Sequence, residues 1–137
     1  MIELTNDTTL QIDMNILESI SDTFTKKEIE LLVLTKEEIH SINKEQRGLD
    51  YATDVLSFPY EDMPLLGSIV ISESHVIYKA QELGHSNNDE IALLFIHGLL
   101  HLLGYDHEVD DGQMREKEIE IIQKFNLPNS LIIRTQG

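Results

Sequence analysis

A run of three histidines at the end of an apolar segment is the feature that most constrains how this chain can fold. Residues 97–107 read His-Gly-Leu-Leu-His-Leu-Leu-Gly-Tyr-Asp-His. The four-residue spacing predicts a helix that places His97 and His101 on one face, one turn apart. Gly104 can then adopt the backbone conformation that ends a helix, and the chain turns back to present His107.

Three imidazoles that converge from a helix and the turn after it can hold one zinc ion and leave a fourth position open. The chain has no Cys, so any metal must bind to His, Asp or Glu. Zinc on three neutral imidazoles lowers the pKa of a bound water to about 7, which indicates metal-assisted hydrolysis. The alternative is that one or two of these histidines are packed core or helix-end residues, but three at this spacing favour the metal site. Nickel, copper and iron also accept imidazole ligands, so the metal's identity stays open.

The same spacing invites comparison with the metzincin protease signature, H-E-x-x-H-x-x-G-x-x-H. All three histidines and the glycine agree in position. Gly98, however, stands where the protease has its Glu general base. Without a carboxylate to take the proton from water, peptidase chemistry is disfavoured although the ligand geometry is shared.

The charge of the chain argues against a broad nucleic-acid surface. Its 137 residues include 25 acidic and 10 basic ones, a net charge of −15, whereas phosphate binding depends on Lys and Arg. Any contact with RNA would need a local basic cleft, a bound cation or a partner that supplies positive charge.

The N-terminal residues do not resemble a signal peptide, and no stretch is apolar enough for a membrane span. We therefore expect a cytoplasmic protein with no membrane partner.

Interleaved strands and helices predict an α/β (α+β) fold in one domain, residues 1–137, with one small mixed sheet of about four strands and about five helices. The chain has no repeats or linker. Predicted strands are 2–5, 29–34, 55–60 and 68–72. Predicted helices are 14–24, a helix N-capped by Thr35 through about 45, one capped by Ser72 or Ser74 that reaches Leu83, the His-bearing helix capped by Asn88 or Asp89, and 111–125.

The histidine run resembles the signature of the bacterial YbeY family, an endoribonuclease involved in ribosomal RNA maturation. A second block, residues 43–58, reads Asn-Lys-Glu-Gln-Arg-Gly-Leu-Asp-Tyr-Ala-Thr-Asp-Val-Leu-Ser-Phe and is similar to the family's pattern of Asn, then Arg, then Thr-Asp-Val-Leu-Ser-Phe. The resemblance covers nearly the whole chain. One departure is Gly-Ser-Ile at residues 67–69, where many members carry Gly-Asp-Ile.

The resemblance implies that His97, His101 and His107 bind one zinc ion or another divalent metal, and that Arg47 clamps a phosphate. It implies cleavage of single-stranded RNA in small-subunit ribosomal RNA 3′-end maturation and in ribosome quality control. The implied partners are 30S and 70S ribosomes, a small-subunit ribosomal protein and the GTPase Era. The nucleophile, either water or the ribose 2′-hydroxyl, stays open, as do the general acid and the cleavage site. Alternatives are a ribosome-assembly binding factor with a mainly structural metal, or a zinc peptidase or amidase.

Several polar residues near the motifs have predicted structural roles. We expect Thr53 and Asp54 to form a turn, with orientation of a ligand histidine as a second role for Asp54. Ser57 is equally suited to the core and to the substrate side. Tyr105 is expected to pack, and Asp106 to form a turn. Outside the motif, His40, His75 and His85 lie in polar contexts and are expected to be solvated.

Overall fold

The computed structural model describes residues 1–60, 64–105 and 112–131. Strands and helices interleave, as the hydrophobic patterning predicts. In chain order the elements are β1 Ile2–Asn6, α1 Met14–Phe24, β2 Glu28–Leu34, α2 Lys36–Arg47, β3 Val55–Pro59, β4 Leu65–Ser72, α3 Glu73–Leu83, α4 Asn87–Leu102 and α5 Gln113–Lys124. Residues 129–131 are also helical.

The four strands form one mixed sheet in the order β1-β2-β4-β3. Strands β1, β2 and β4 run parallel, and β3 pairs antiparallel to β4, with Ser57 opposite Ile69. This arrangement confirms the predicted single small domain with a mixed sheet of four strands. It also makes β3 an edge strand, so side chains from helices on the two faces of the sheet can meet beside it.

The element boundaries differ from the predicted ones by a few residues. Helix α2 continues to Arg47, two residues beyond its predicted end, and Gly48 ends it with φ +70°. Strand β4 begins at Leu65 rather than at 68. The prediction that Asn88 or Asp89 caps α4 is wrong. Ser86 is the N-cap, and Asp89 completes a capping box with it; local hydrogen bonding decides between neighbouring cap candidates.

Helix α4 lies at the centre of the main core. Between Ile91 and Leu102 it is apolar on every side except at His97, Gly98 and His101, a composition typical of a helix that is packed all round. It contacts α1, α3, α5, β3 and β4, and its apolar side chains are buried. The helix therefore has little freedom to move, and neither do the two imidazoles that it carries.

Helix α2 packs on the other face of the sheet. Its Ile39 is fully buried against Leu34, Leu56 and Val70 in a second, smaller cluster. Because side chains alternate along a strand, Leu56 of β3 faces α2, whereas Val55 packs with the α4 core. Strand β3 thus separates the last turn of α2 from the histidines of α4.

Two glycines allow α4 to lie close to the sheet. A Cβ on Gly98 would lie 2.9 Å from Cγ2 of the buried Ile69 on β4. A Cβ on Gly67 of β4 would lie 2.5 Å from the carbonyl oxygen of Phe58 and 2.6 Å from Cδ2 of Leu102. A side chain as large as Glu at position 98 would collide with Ile69 of β4. This packing accounts for the glycine at the position where the protease signature has Glu.

Of the helices within the described ranges, none combines the length and the apolar character that a membrane span requires.

Candidate active site

Predicted site residues from two helices, α2 and α4, meet in one cavity at the edge of the sheet. Its volume is about 280 Å³, and it is lined by Arg47 from α2, residues 55–57 from β3, and His97, Gly98 and His101 from α4. We call it the His–Arg cavity. Arg47 approaches from one face of the sheet and the histidines from the other. Three of the four predicted site residues, Arg47, His97 and His101, therefore lie together.

The two histidines of α4 direct the same ring nitrogen at each other. Nε2 of His97 and Nε2 of His101 are 3.2 Å apart, and the rings stand at 76° with centroids 4.7 Å apart. Spacing of four residues on a helix places them one turn apart, as predicted. Both side chains are partly buried and line the His–Arg cavity.

Each ring is oriented by an acceptor at its other nitrogen. Nδ1 of His97 hydrogen-bonds to Oε1 of Glu118 at 2.9 Å, and Nδ1 of His101 to the carbonyl oxygen of Tyr105 at 2.9 Å. A carbonyl oxygen can only accept, so Nδ1 of His101 donates, and a carboxylate favours the same tautomer for His97. In the neutral rings both Nε2 atoms therefore carry lone pairs. Acceptors at Nδ1 are the usual arrangement around metal-binding histidines.

Two lone pairs that face each other need either a proton or a cation between them. Zinc binds imidazole nitrogen at about 2.0–2.1 Å in tetrahedral geometry, which places two ligand nitrogens about 3.3–3.4 Å apart. The distance of 3.2 Å between the Nε2 atoms fits this requirement closely. The donor set and its orientation thus suit a zinc ion or a similar divalent cation.

The third predicted ligand, His107, lies outside the described residues, as does Asp106. Among the described residues, no group of three or more His, Asp or Glu side chains is arranged to hold a metal. Assignment of His107 as a ligand therefore stays a prediction. The helix end that precedes it agrees with expectation, since Gly104 has φ +101° and its amide donates to the carbonyl of His101 at 3.0 Å.

Arg47 is the last residue of α2 and is exposed to solvent. Within the described part of the chain it forms no ion pair with a carboxylate, although 25 residues are acidic. Its guanidinium thus lines the cavity with its donors available for a planar, multiply charged group such as phosphate. Ser57 lines the same cavity and lies on the α4 side of β3, so the structure places it at the site rather than in the core.

The other polar residues near the motifs mostly take the predicted structural roles. Asp54 accepts hydrogen bonds from the amide of Val55 at 2.8 Å and from the hydroxyl of Thr53 at 3.4 Å, so it contacts the local backbone as predicted, at a bend before β3. Tyr105 packs against the main core, and it is its backbone carbonyl that contacts His101. Ser68, the position at which the sequence departs from the pattern it resembles, donates to Glu30 at 2.7 Å and contacts the hydroxyl of Tyr60 at 2.9 Å, and it is not among the residues that line the cavity.

Solvation is confirmed in part for His40, whereas His75 is partly buried and its Nδ1 lies 3.1 Å from Oγ of Ser72. The side chain of His40 is 43% exposed and contacts Asp50 at 2.6 Å, and this hydrogen bond, followed by the charge of Lys44, lowers the pKa of Asp50. The prediction for His85 is wrong. Its side chain is only 2% exposed and bridges Ser130 at 2.8 Å and Glu90 at 2.9 Å. Polar neighbours in sequence do not reveal that a histidine is enclosed by tertiary structure.

Glu118 is the site residue that sequence reasoning missed. Its side chain is 3% exposed, and it lies on the buried face of α5 with Met114, Ile121 and Ile122. A carboxylate at an apolar position of a helical pattern was the available signal, since buried charges are almost always paired.

The chain is similar over nearly its whole length to known proteins. Residues 2–126 match the family model described as "Endoribonuclease YbeY". The chain is 59% identical over 139 residues to an Endoribonuclease YbeY of Sulfurimonas denitrificans, covering all of both chains. It is 55% identical to the Endoribonuclease YbeY of Helicobacter pylori, covering 99% of each. A solution structure of TM1509 from Thermotoga maritima superposes with a TM-score of 0.63 at 28% identity, covering 91% of this chain and 89% of the other.

Proposed function

Since this chain belongs to the Endoribonuclease YbeY family, we propose that it is an endoribonuclease that cleaves single-stranded RNA in ribosomal RNA maturation and ribosome quality control. The observation that carries the proposal is the convergence of Arg47 and two oriented imidazoles in one cavity. That cavity pairs a phosphate-binding group with a cation-binding group, a combination that suits metal-assisted cleavage of a phosphodiester.

The proposed metal is one zinc ion held by His97, His101 and His107. The facing Nε2 atoms of the first two, 3.2 Å apart, support this proposal, and Glu118 and Tyr105 hold both rings in the required tautomer. When bound, zinc supplies a Lewis acid and lowers the pKa of a coordinated water. Nickel or another divalent metal fits the same donor set.

Arg47 is proposed to bind the scissile phosphate. Its fork can contact two phosphate oxygens and stabilise the negative charge that builds up on them during cleavage. Helix α2 is anchored by Ile39 in the second cluster, and Gly48 ends it directly after Arg47, so the backbone of Arg47 is held in place.

The nucleophile is either water or the ribose 2′-hydroxyl. Attack by the hydroxyl leaves a 2′,3′-cyclic phosphate, whereas attack by water leaves a linear one, so the product ends distinguish the two.

The partners proposed for the chain are ribosomal RNA, 30S and 70S ribosomes, a small-subunit ribosomal protein and the GTPase Era, with a cytoplasmic location. The net charge of −15 suits contact with basic ribosomal proteins, because complementary charge steers association. The same charge favours a second candidate function, a ribosome-assembly factor that binds through its acidic surface and whose metal is mainly structural.

Cleavage of precursor small-subunit ribosomal RNA and of a short single-stranded RNA by the purified protein tests the proposal. The assay compares added zinc with chelator and the wild type with His101→Ala and Arg47→Ala. His40→Ala and Lys44→Ala serve as controls because these residues lie outside the His–Arg cavity. Loss of cleavage in both site variants and with chelator supports the nuclease. If the site variants cleave as fast as the wild type, the second candidate function, a ribosome-assembly factor, is favoured over the nuclease.

A further inference from the structure

A second cavity lies near the N-terminal end of α2 and is lined mainly by polar, cationic and aromatic side chains. Its volume is about 570 Å³, and it is lined by Lys36, Ala52, Ser74, His75, Tyr78 and Lys79. We call it the Tyr78 cavity. Lys36 is the first residue of α2, and Arg47 of the His–Arg cavity is the last. The two cavities thus lie near opposite ends of one helix, about 16 Å apart along its axis.

The loop after α2 shows that the two cavities are neighbours. Ala52 lines the Tyr78 cavity and Val55 lines the His–Arg cavity. Three peptide steps of about 3.8 Å limit the distance between their Cα atoms to about 11 Å. An extended strand of a few nucleotides with one phosphate at Arg47 could therefore reach the Tyr78 cavity.

The charge of the two linings contrasts with that of the whole chain. Asp and Glu make up 25 of 137 residues, and Lys and Arg only 10. Among the described residues that line the two cavities, none is acidic, whereas three are Lys or Arg and three are His. The two linings therefore have a local excess of cationic side chains, which favours contact with RNA in an otherwise acidic protein.

Tyr78 supplies an aromatic face beside these cations. Its side chain is 63% exposed, so the ring is accessible to a ligand, and Nζ of Lys79 lies 5.9 Å from its ring centroid. Lys79 also pairs with Glu82 at 3.2 Å, a surface pair that contributes little and can give way to phosphate. A solvent-exposed ring in a cavity that also contains Lys side chains resembles the sites at which proteins stack bases of single strands while neutralising the backbone.

We infer that the Tyr78 cavity is a flanking subsite for single-stranded RNA, in which Tyr78 stacks one base and Lys36 and Lys79 neutralise adjacent phosphates. This inference rests on the proposed nuclease function of the His–Arg cavity. It extends that function from the scissile phosphate to nucleotides at one side of it. Because bases in a duplex are already stacked and paired, the subsite selects for single strands.

The binding of a labelled single-stranded oligoribonucleotide of about ten nucleotides tests the inference, measured by fluorescence anisotropy. Tyr78→Ala should raise the Kd about tenfold, as expected for loss of one base–aromatic stack, whereas Tyr78→Phe should bind like the wild type. Lys36→Ala/Lys79→Ala should lower the slope of log K against log salt by about 1.4, the value for two lost phosphate contacts.

Lys26→Ala/Lys27→Ala is the matched control, because it removes the same charge from two exposed residues that precede β2. It should leave the Kd within about twofold of wild type. Neither Tyr78 variant should alter the binding of duplex RNA. An unchanged Kd in Tyr78→Ala, or an equal loss in the Lys26/Lys27 control, would overturn the subsite and leave the cavity to a different ligand, such as an acidic peptide.

Cleavage of RNAs of two lengths separates failure of the subsite from failure of the nuclease. Variants of the Tyr78 cavity should raise KM for the long substrate and leave cleavage of a dinucleotide, whose single phosphate lies at Arg47, unchanged, whereas His101→Ala should abolish both. If the subsite variants cleave the long RNA with wild-type KM, the subsite is wrong and the nuclease stands. If the wild type cleaves neither RNA, the nuclease is wrong, and the anisotropy measurement alone decides the subsite.

Discussion

The carboxylate of Glu118 on α5 accepts a hydrogen bond from Nδ1 of His97 on α4 at 2.9 Å, across 21 residues of sequence. Glu118 is almost fully buried, with 3% of its side chain exposed. The pairing fixes both the rotation and the tautomer of His97, so that Nε2 faces His101. A helix without any predicted ligand thus controls the geometry of the candidate metal site.

Glu118→Ala should therefore weaken zinc binding by about 10- to 100-fold, because the ligand loses its orienting acceptor and some of its basicity. Glu118→Gln, which retains an accepting oxygen of similar shape, should have a smaller effect. Competition with a chromophoric chelator measures the affinity independently of RNA cleavage. Glu116→Ala, an exposed residue on the same helix, is the control and should match wild type. Equal affinities for Glu118→Ala and wild type would contradict the orienting role.

Arg47→Ala should lower kcat/KM for RNA cleavage by about 100-fold, the usual cost of removing a donor that stabilises charge in the transition state. Arg47→Lys should recover only part of the activity, because an ammonium group cannot bind two phosphate oxygens in a planar fork. The free energy of unfolding should not change, since Arg47 is exposed. Steady-state kinetics with Lys44→Ala as the control provide the measurement. Full activity in Arg47→Lys would show that charge alone, not the fork, is needed.

Alanine at Gly67 should destabilise the fold more than alanine at Gly98. At Gly67 the new Cβ would meet the backbone oxygen of Phe58 at 2.5 Å, and a backbone atom in a sheet cannot move aside. At Gly98 it would meet side-chain atoms of Ile69, and alanine gains about 1 kcal/mol over glycine in a helix. We expect a loss of about 3 kcal/mol for Gly67→Ala and about 1 kcal/mol for Gly98→Ala. Urea denaturation measures both, and the reverse order would show that the sheet yields more readily than the core.

Asp50 should titrate below its ordinary pKa of 3.8, mainly because His40 donates a hydrogen bond to its carboxylate and secondarily because of the charge of Lys44. His40→Ala should raise this pKa more than Lys44→Ala does, as measured by NMR titration of the side-chain carboxyl. The folded pKa lies below the unfolded one, so the stabilisation is present above pH 3.8 and is lost as pH falls through the folded value. The stability difference between wild type and Asp50→Asn should accordingly shrink on acidification. A pKa for Asp50 at or above 3.8 in the wild type would refute the pairing in solution.

Local patterns in the sequence determined the helices and strands, and the placement of two of the three predicted metal ligands. The spacing of His97 and His101 within an apolar segment was enough to place both imidazoles on one face of a helix, because helical periodicity is a property of the backbone itself. Alternating strands and helices were enough for a single mixed sheet. Arg47 could be assigned only through the resemblance, since an arginine at a helix end has no distinguishing local pattern.

Tertiary structure alone decided which residues from separate elements meet. The strand order β1-β2-β4-β3 places β3 at the edge, and only that placement lets Arg47 and the histidines share a cavity from opposite faces of the sheet. Tertiary structure likewise decided three other features: the pairing of Glu118 with His97, the burial of His85 and the lining of the Tyr78 cavity. Each depends on contacts between residues distant in sequence, and such contacts are set by how apolar faces pack rather than by any local periodicity.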